Sequence, residues 1–128
     1  MKHTTKKILV IEDNASLSEL LSKQLISEGF EILTAYDGKD GLEKIIKEKP
    51  DAIIIDILLP KMDGLKVLEE YRKADPKSST PIIVLTNIND IEHVESAVQN
   101  KATAYLVKSD QSLQNIMDIL NEKLGIGK

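Results

Sequence analysis

The chain has 128 residues, 41% of them hydrophobic and 30% charged, with a formal net charge of −4 and no cysteine. That length supports one hydrophobic core and not two, and the composition excludes intrinsic disorder. The scattered lysines and arginines offer no basic stripe to a phosphate backbone, and the lack of thiols excludes disulfides, thiolate metal sites and a cysteine nucleophile.

The polar start, residues 1–7, leads into only a few apolar residues, far short of a signal-peptide core or a membrane span. The expected location is therefore the cytoplasm, with no direct contact to nucleic acid or membrane. Ile8-Leu9-Val10-Ile11 is a β-branched apolar run that predicts the first strand, and Glu12-Asp13-Asn14 predicts the loop after it. From Ser16 to Glu28, Leu17, Leu20, Leu21 and Leu25 recur at helical spacing, and Gly29 falls where a left-handed C-cap belongs. Phe30 to Ala35 mixes apolar and polar residues, as a strand with one less buried side does. Asp37-Gly38 breaks the chain, and Leu42, Ile45 and Ile46 predict a second helix that Pro50 must end.

Ala52-Ile53-Ile54-Ile55 predicts the third strand, with Asp56 at its carboxyl end. Pro60 and Asp63-Gly64 mark the loop that follows, before a helix carrying Leu65, Leu68 and Tyr71. Pro81 to Leu85 reads as the fourth strand, Ile91, Val94 and Val98 as the fourth helix, and Tyr105-Leu106-Val107 as part of the fifth strand. Leu113, Ile116, Met117, Leu120 and Leu124 complete a fifth helix.

Strict alternation of strand and helix with short loops predicts a doubly wound α/β fold: a five-stranded parallel sheet with five helices on its two faces. Strands one, three and four are apolar throughout, as central strands should be, whereas strand two carries polar residues and strand five is short. That pattern is consistent with the order 2-1-3-4-5 of flavodoxin-like sheets. Residues 1–128 are expected to form one unit with a core over about residues 7–124.

In such a sheet ligands bind beyond the carboxyl ends of the strands, at the switch point between strands one and three. Glu12, Asp13 and Asp56 are expected to converge there. Carboxylates so placed repel one another unless a cation sits among them, and oxygen-only ligands favour Mg²⁺. The loop after strand three would add a backbone carbonyl, with Leu58 the candidate. Thr86 and Lys108, at the ends of strands four and five, supply a hydroxyl and an ammonium, the donors that phosphoryl oxygens need when a carboxylate attacks phosphorus. Taken singly, Glu12 and Asp13 fit a solvated loop with Asp13 or Asn14 as a helix cap, and Thr86 and Lys108 are unremarkable loop residues.

The spaced segments Ile8 to Asn14, Ala35-Tyr36-Asp37-Gly38, Asp56 to Gly64, Pro81 to Thr86 and Tyr105 to Lys108 resemble, in order, the receiver domain of bacterial two-component response regulators. The resemblance implies a phosphorylation-dependent signalling switch that catalyses only its own phosphorylation and dephosphorylation. It makes Asp56 the phosphoacceptor, Glu12 and Asp13 the acids of an Mg²⁺ site, Leu58 a ligand through its carbonyl, and Thr86 and Lys108 the holders of phosphoryl oxygens. It implies that Tyr105 reports the switch on the surface of the fourth helix, fifth strand and fifth helix. A histidine kinase, a phosphotransfer protein or a small phosphodonor would supply the phosphoryl group, and a downstream protein or fused output domain would read it.

Three departures stand against the pattern. Ser109 occupies the place of a usual proline, so a trans bond and a different loop path are expected, since a cis bond before serine costs roughly 3 kcal/mol. Asn87 follows Thr86 where a small residue is usual, and its bulk is expected to narrow the approach to Asp56 and slow phosphorylation or hydrolysis. Lys101 replaces a common glycine, which leaves Asn100 as a candidate left-handed cap. Rival readings fare less well. A flavin carrier would need a glycine- and hydroxyl-rich loop where Glu12 and Asp13 stand, and a haloacid-dehalogenase-type phosphatase would need an acid where Leu58 stands. The serious alternative is a receiver-like protein-binding module that no longer depends on phosphate.

Overall fold

A computed structural model describes residues 5–87, 91–99, 102–107 and 113–124. Its elements alternate without exception: β1 (Lys7–Ile11), α1 (Ala15–Ser27), β2 (Glu31–Ala35), α2 (Gly38–Glu48), β3 (Ala52–Ile55), α3 (Gly64–Ala74), β4 (Ile82–Thr86), α4 (Ile91–Gln99), β5 (Ala104–Val107) and α5 (Leu113–Leu124). The sheet is parallel throughout and ordered β2-β1-β3-β4-β5, as expected.

Successive side chains on a strand point to opposite faces, so each apolar strand feeds two cores. Leu9, Ile11, Ile53, Ile55, Ile82 and Val84 join residues of α2, α3 and α4 on one face. Ile8, Val10, Ile54, Ile83 and Leu85 join residues of α1 and α5 on the other. Burying an aliphatic side chain of this size contributes about 1.5–3 kcal/mol, which explains why the three central strands, past Lys7 at the start of β1, carry no polar residue until their carboxyl ends. The edge strand β2 buries only Ala35 fully.

The caps are local and specific. Asn14, Asp37 and Asp63 each stand at a helix N-cap, and their side-chain oxygens accept from the N–H groups of Leu17, Asp40 and Lys66. α1 ends with Gly29 at φ +98, its N–H donating to the Ile26 carbonyl while the Phe30 N–H donates to that of Leu25. These are the two bonds of a Schellman cap. α2 closes on Lys49 at φ 49, just ahead of Pro50.

Three of the apolar residues that mark these helices lie outside the core. Leu20, Ile46 and Val98 are about half exposed or more, at 51%, 48% and 64%. The buried stripe of α1 runs through Ser18, Leu21 and Leu25, a quarter-turn away from Leu20, and α4 buries Ala97 in place of Val98.

Ser18 is one buried polar group with no visible compensation: its Oγ, like that of Ser22, has no hydrogen-bond partner. Leaving such a group unsatisfied costs about 1–3 kcal/mol, and serine is also a poorer helix former than alanine. Ser18→Ala is therefore expected to stabilise the fold by about 1 kcal/mol. Urea unfolding should show a raised midpoint with an unchanged slope; a lowered midpoint would contradict this.

Candidate phosphoacceptor and metal site

Hydrogen bonding of β1 and β3 to their neighbours continues one residue past their carboxyl ends. Ile11 lies opposite Ile55, the Asp56 N–H donates to the Ile11 carbonyl at 3.0 Å, and the Glu12 N–H donates to the Ala35 carbonyl at 3.0 Å. Glu12 and Asp56 are thereby held level on adjacent strands, about 4.8 Å apart along the sheet. Just here the chain parts, since α1 leaves β1 for one face and α3 leaves β3 for the other. That divergence opens the crevice of the switch point.

Into this crevice come three carboxylates. Glu12 and Asp56 are almost fully buried, at 3% and 6% exposure, and Asp13 is exposed. One oxygen from each lies within 4.8 Å of the others. The Asn14 N–H holds Glu12 through Oε2 at 3.0 Å, and the Leu58 N–H donates to Asp56 Oδ1 at 3.3 Å. Like charges this close repel by roughly 4 kcal/mol per pair at an effective dielectric of about 20, and a cation among them offsets that cost. The set is all oxygen, part buried and part open to solvent, and so fits a hard divalent ion that keeps some of its waters.

The other expected residues are placed unevenly. Thr86 is fully buried at the end of β4, opposite Val107. Tyr105 is half-buried, lies opposite Val84 and packs on the cluster beneath α2, α3 and α4. The Leu58 side chain is exposed, and its backbone N–H is the group seen to meet Asp56. Asn87 is exposed. Lys108, Ser109, Asn100 and Lys101 lie outside the described residues.

Sequence reasoning missed what holds the loop after Asp56. Gly38 and Gly64 each start a helix, and neither needs a positive φ. They are glycine because backbone passes too close for a Cβ. One added to Gly38 would lie 1.7 Å from the Met62 carbonyl oxygen, and one on Gly64 would lie 2.1 Å from that of Asp56. The two Asp-Gly pairs were the available signal, but they read only as turns.

Among the described residues no helix is long and apolar enough to cross a membrane. The family model "Response regulator receiver domain" matches residues 8–121. The chain is 37% identical over 105 residues to the "Probable transcriptional regulator ycf27" of Guillardia theta, covering 82% of this chain and 40% of the relative. It spans about two fifths of the length of such curated relatives. Among solved structures, a CheY-like response regulator receiver domain protein from Methanospirillum hungatei superposes with a TM-score of 0.89 at 28% identity, over 95% of each chain. The phosphorylated cyanobacterial phytochrome response regulator RcpA superposes at 0.84 with 25% identity, over 98% of each. Sheet order, strand-end acids and sequence thus agree, and the chain belongs to the response regulator receiver domain family.

Proposed function

We propose that residues 1–128 act as one phosphorylation-dependent signalling unit in which Asp56 accepts a phosphoryl group with Mg²⁺ bound by Glu12, Asp13, Asp56 and the Leu58 carbonyl. The observation that carries this reading is the meeting of three carboxylates, from two strand ends, within 4.8 Å of one another. An Asp56 oxygen forms the new bond to phosphorus, the donor's bond to phosphorus breaks, and the donor keeps that electron pair. Mg²⁺, when bound, neutralises charge on the phosphoryl oxygens. Thr86 and Lys108 supply the remaining donors.

Burial of Asp56 excludes bulk water from the attacking oxygen, and its Leu58 N–H contact orients the carboxylate. The added charge draws the Thr86 hydroxyl toward the phosphoryl group, and Tyr105 turns inward, which alters the surface of α4, β5 and α5. The donor is a histidine kinase, a phosphotransfer protein or a small phosphodonor. The reader of the altered surface is a separate protein or a fused output domain, and the setting is the cytoplasm. The chain has no substrate to turn over beyond its own phosphorylation and dephosphorylation.

Intact-mass spectrometry after exposure to acetyl phosphate and Mg²⁺ tests this directly. One phosphoryl group should be gained, and a chelator should suppress the gain. No gain with Mg²⁺ present would favour a phosphate-independent binding module.

A further inference from the structure

The loop from Ile57 to Asp63 is fastened at three points. At its start the Leu58 N–H donates to Asp56 Oδ1, and at its end the Gly64 N–H donates to the Ile57 carbonyl at 2.7 Å. The third fastening comes from elsewhere in the chain. Across the end of β1, the Gly38 N–H donates to the Pro60 carbonyl at 3.1 Å. That same carbonyl accepts from the Met62 N–H at 2.7 Å, closing a three-residue turn centred on Lys61 at φ 70. Such γ-turns with a positive central φ are rare and strained, and they persist only where the surroundings over-determine them.

We propose that the Asp37-Gly38 turn is a positioning device for the phosphoacceptor loop, holding the Pro60 carbonyl so that the Leu58 backbone and the Asp56 carboxylate keep the geometry that binds Mg²⁺. Two contacts join turn and loop, and they are unequal. The Asp37–Lys61 ion pair spans 3.7 Å with the Lys61 side chain 66% exposed, so solvent screens it heavily. The Gly38 contact is backbone to backbone, with no room for a methyl group between Gly38 and Met62. The glycine is therefore the element that positions the loop, and the ion pair is secondary. Asp37 also caps α2, which ties the placement of this glycine to the start of a helix rather than to a free loop.

The inference rests on the Mg²⁺ reading given above, and its test separates the two. In an NMR titration of the full chain with MgCl₂, Gly38→Ala should weaken Mg²⁺ at least tenfold, while Lys61→Ala should stay within twofold of the parent. A destabilised control remote from the loop, Leu120→Ala, should also keep the parent affinity, which distinguishes positioning from a general loss of stability. In the parent, amide exchange at Gly38 should slow severalfold on adding Mg²⁺ even though Gly38 is not a ligand, because coupling between loop placement and ion binding is reciprocal. That measurement decides the matter if Gly38→Ala does not fold. Unchanged Gly38 exchange, or a folded Gly38→Ala with parent affinity, overturns the positioning role alone. A parent that binds no Mg²⁺ overturns both.

Discussion

Asp56→Asn is expected to abolish the gain of a phosphoryl group from acetyl phosphate and to weaken Mg²⁺ at least about tenfold, a loss of about 1.4 kcal/mol. The amide has the carboxylate's shape and keeps an oxygen for the Leu58 N–H, so the fold survives and the lost chemistry is that of the nucleophile. Asp13→Asn is the informative comparison. Asp13 is exposed and follows Glu12 in the loop, so its removal lowers the site's charge without touching the buried acid level with β1. Phosphorylation of that variant should recover when Mg²⁺ is raised about tenfold. Recovery in Asp56→Asn, or permanent loss in Asp13→Asn, would assign the acceptor to the wrong side chain. Intact mass after a fixed exposure, across an Mg²⁺ series, reads both variants.

Glu12 and Asp56 were legible in the sequence because each follows directly on an apolar run, and parallel pairing with Ile11 opposite Ile55 makes such positions coincide, with Asp13 brought along as the next residue of the loop. Central strands were legible for a related reason. A strand covered on both faces must be apolar at every covered position, so β1 past Lys7, β3, and β4 as far as Leu85 announce themselves without periodicity. Helix faces carried less information. Leu20 and Leu21 are equally apolar, and only the seating of α1 on the sheet decides that Leu21 is buried beside Ser18 while Leu20 faces solvent.

The loop after Asp56 was the least readable part of the site. Pro60 and Asp63-Gly64 predict a break, but nothing in them says that Lys61 takes a left-handed conformation or that Gly38 meets Pro60 from across β1. Those facts depend on tertiary approach between segments more than twenty residues apart in sequence. Asp-Gly has one local meaning, a turn, and a second that only packing reveals: an N-cap followed by a residue small enough to touch a neighbouring backbone.

Gly64→Ala exposes that second meaning most sharply. Alanine suits a helix better than glycine by about 1 kcal/mol, and Gly64 has no positive φ to forbid it. Against this, the new Cβ would sit 2.1 Å from the Asp56 carbonyl oxygen and 2.9 Å from the Asp56 carbonyl carbon and the Ile57 Cα. These are backbone atoms of the sheet end, which cannot swing aside as a side chain can, and overpacking of this kind typically costs about 1–3 kcal/mol or more. The clash outweighs the helix gain, so a net loss of about 1–2 kcal/mol is expected, and the displaced atoms belong to Asp56, the proposed phosphoacceptor, and its neighbour Ile57. Gly29→Ala supplies the contrast. There the cost of about 1–2 kcal/mol comes only from φ +98, with nothing within 4 Å of an added Cβ. Both variants should therefore unfold at lower urea, but at temperatures where both remain folded only Gly64→Ala should show slowed phosphorylation of Asp56. Equal phosphorylation rates in the two would mean that the close approach of α3 serves stability alone.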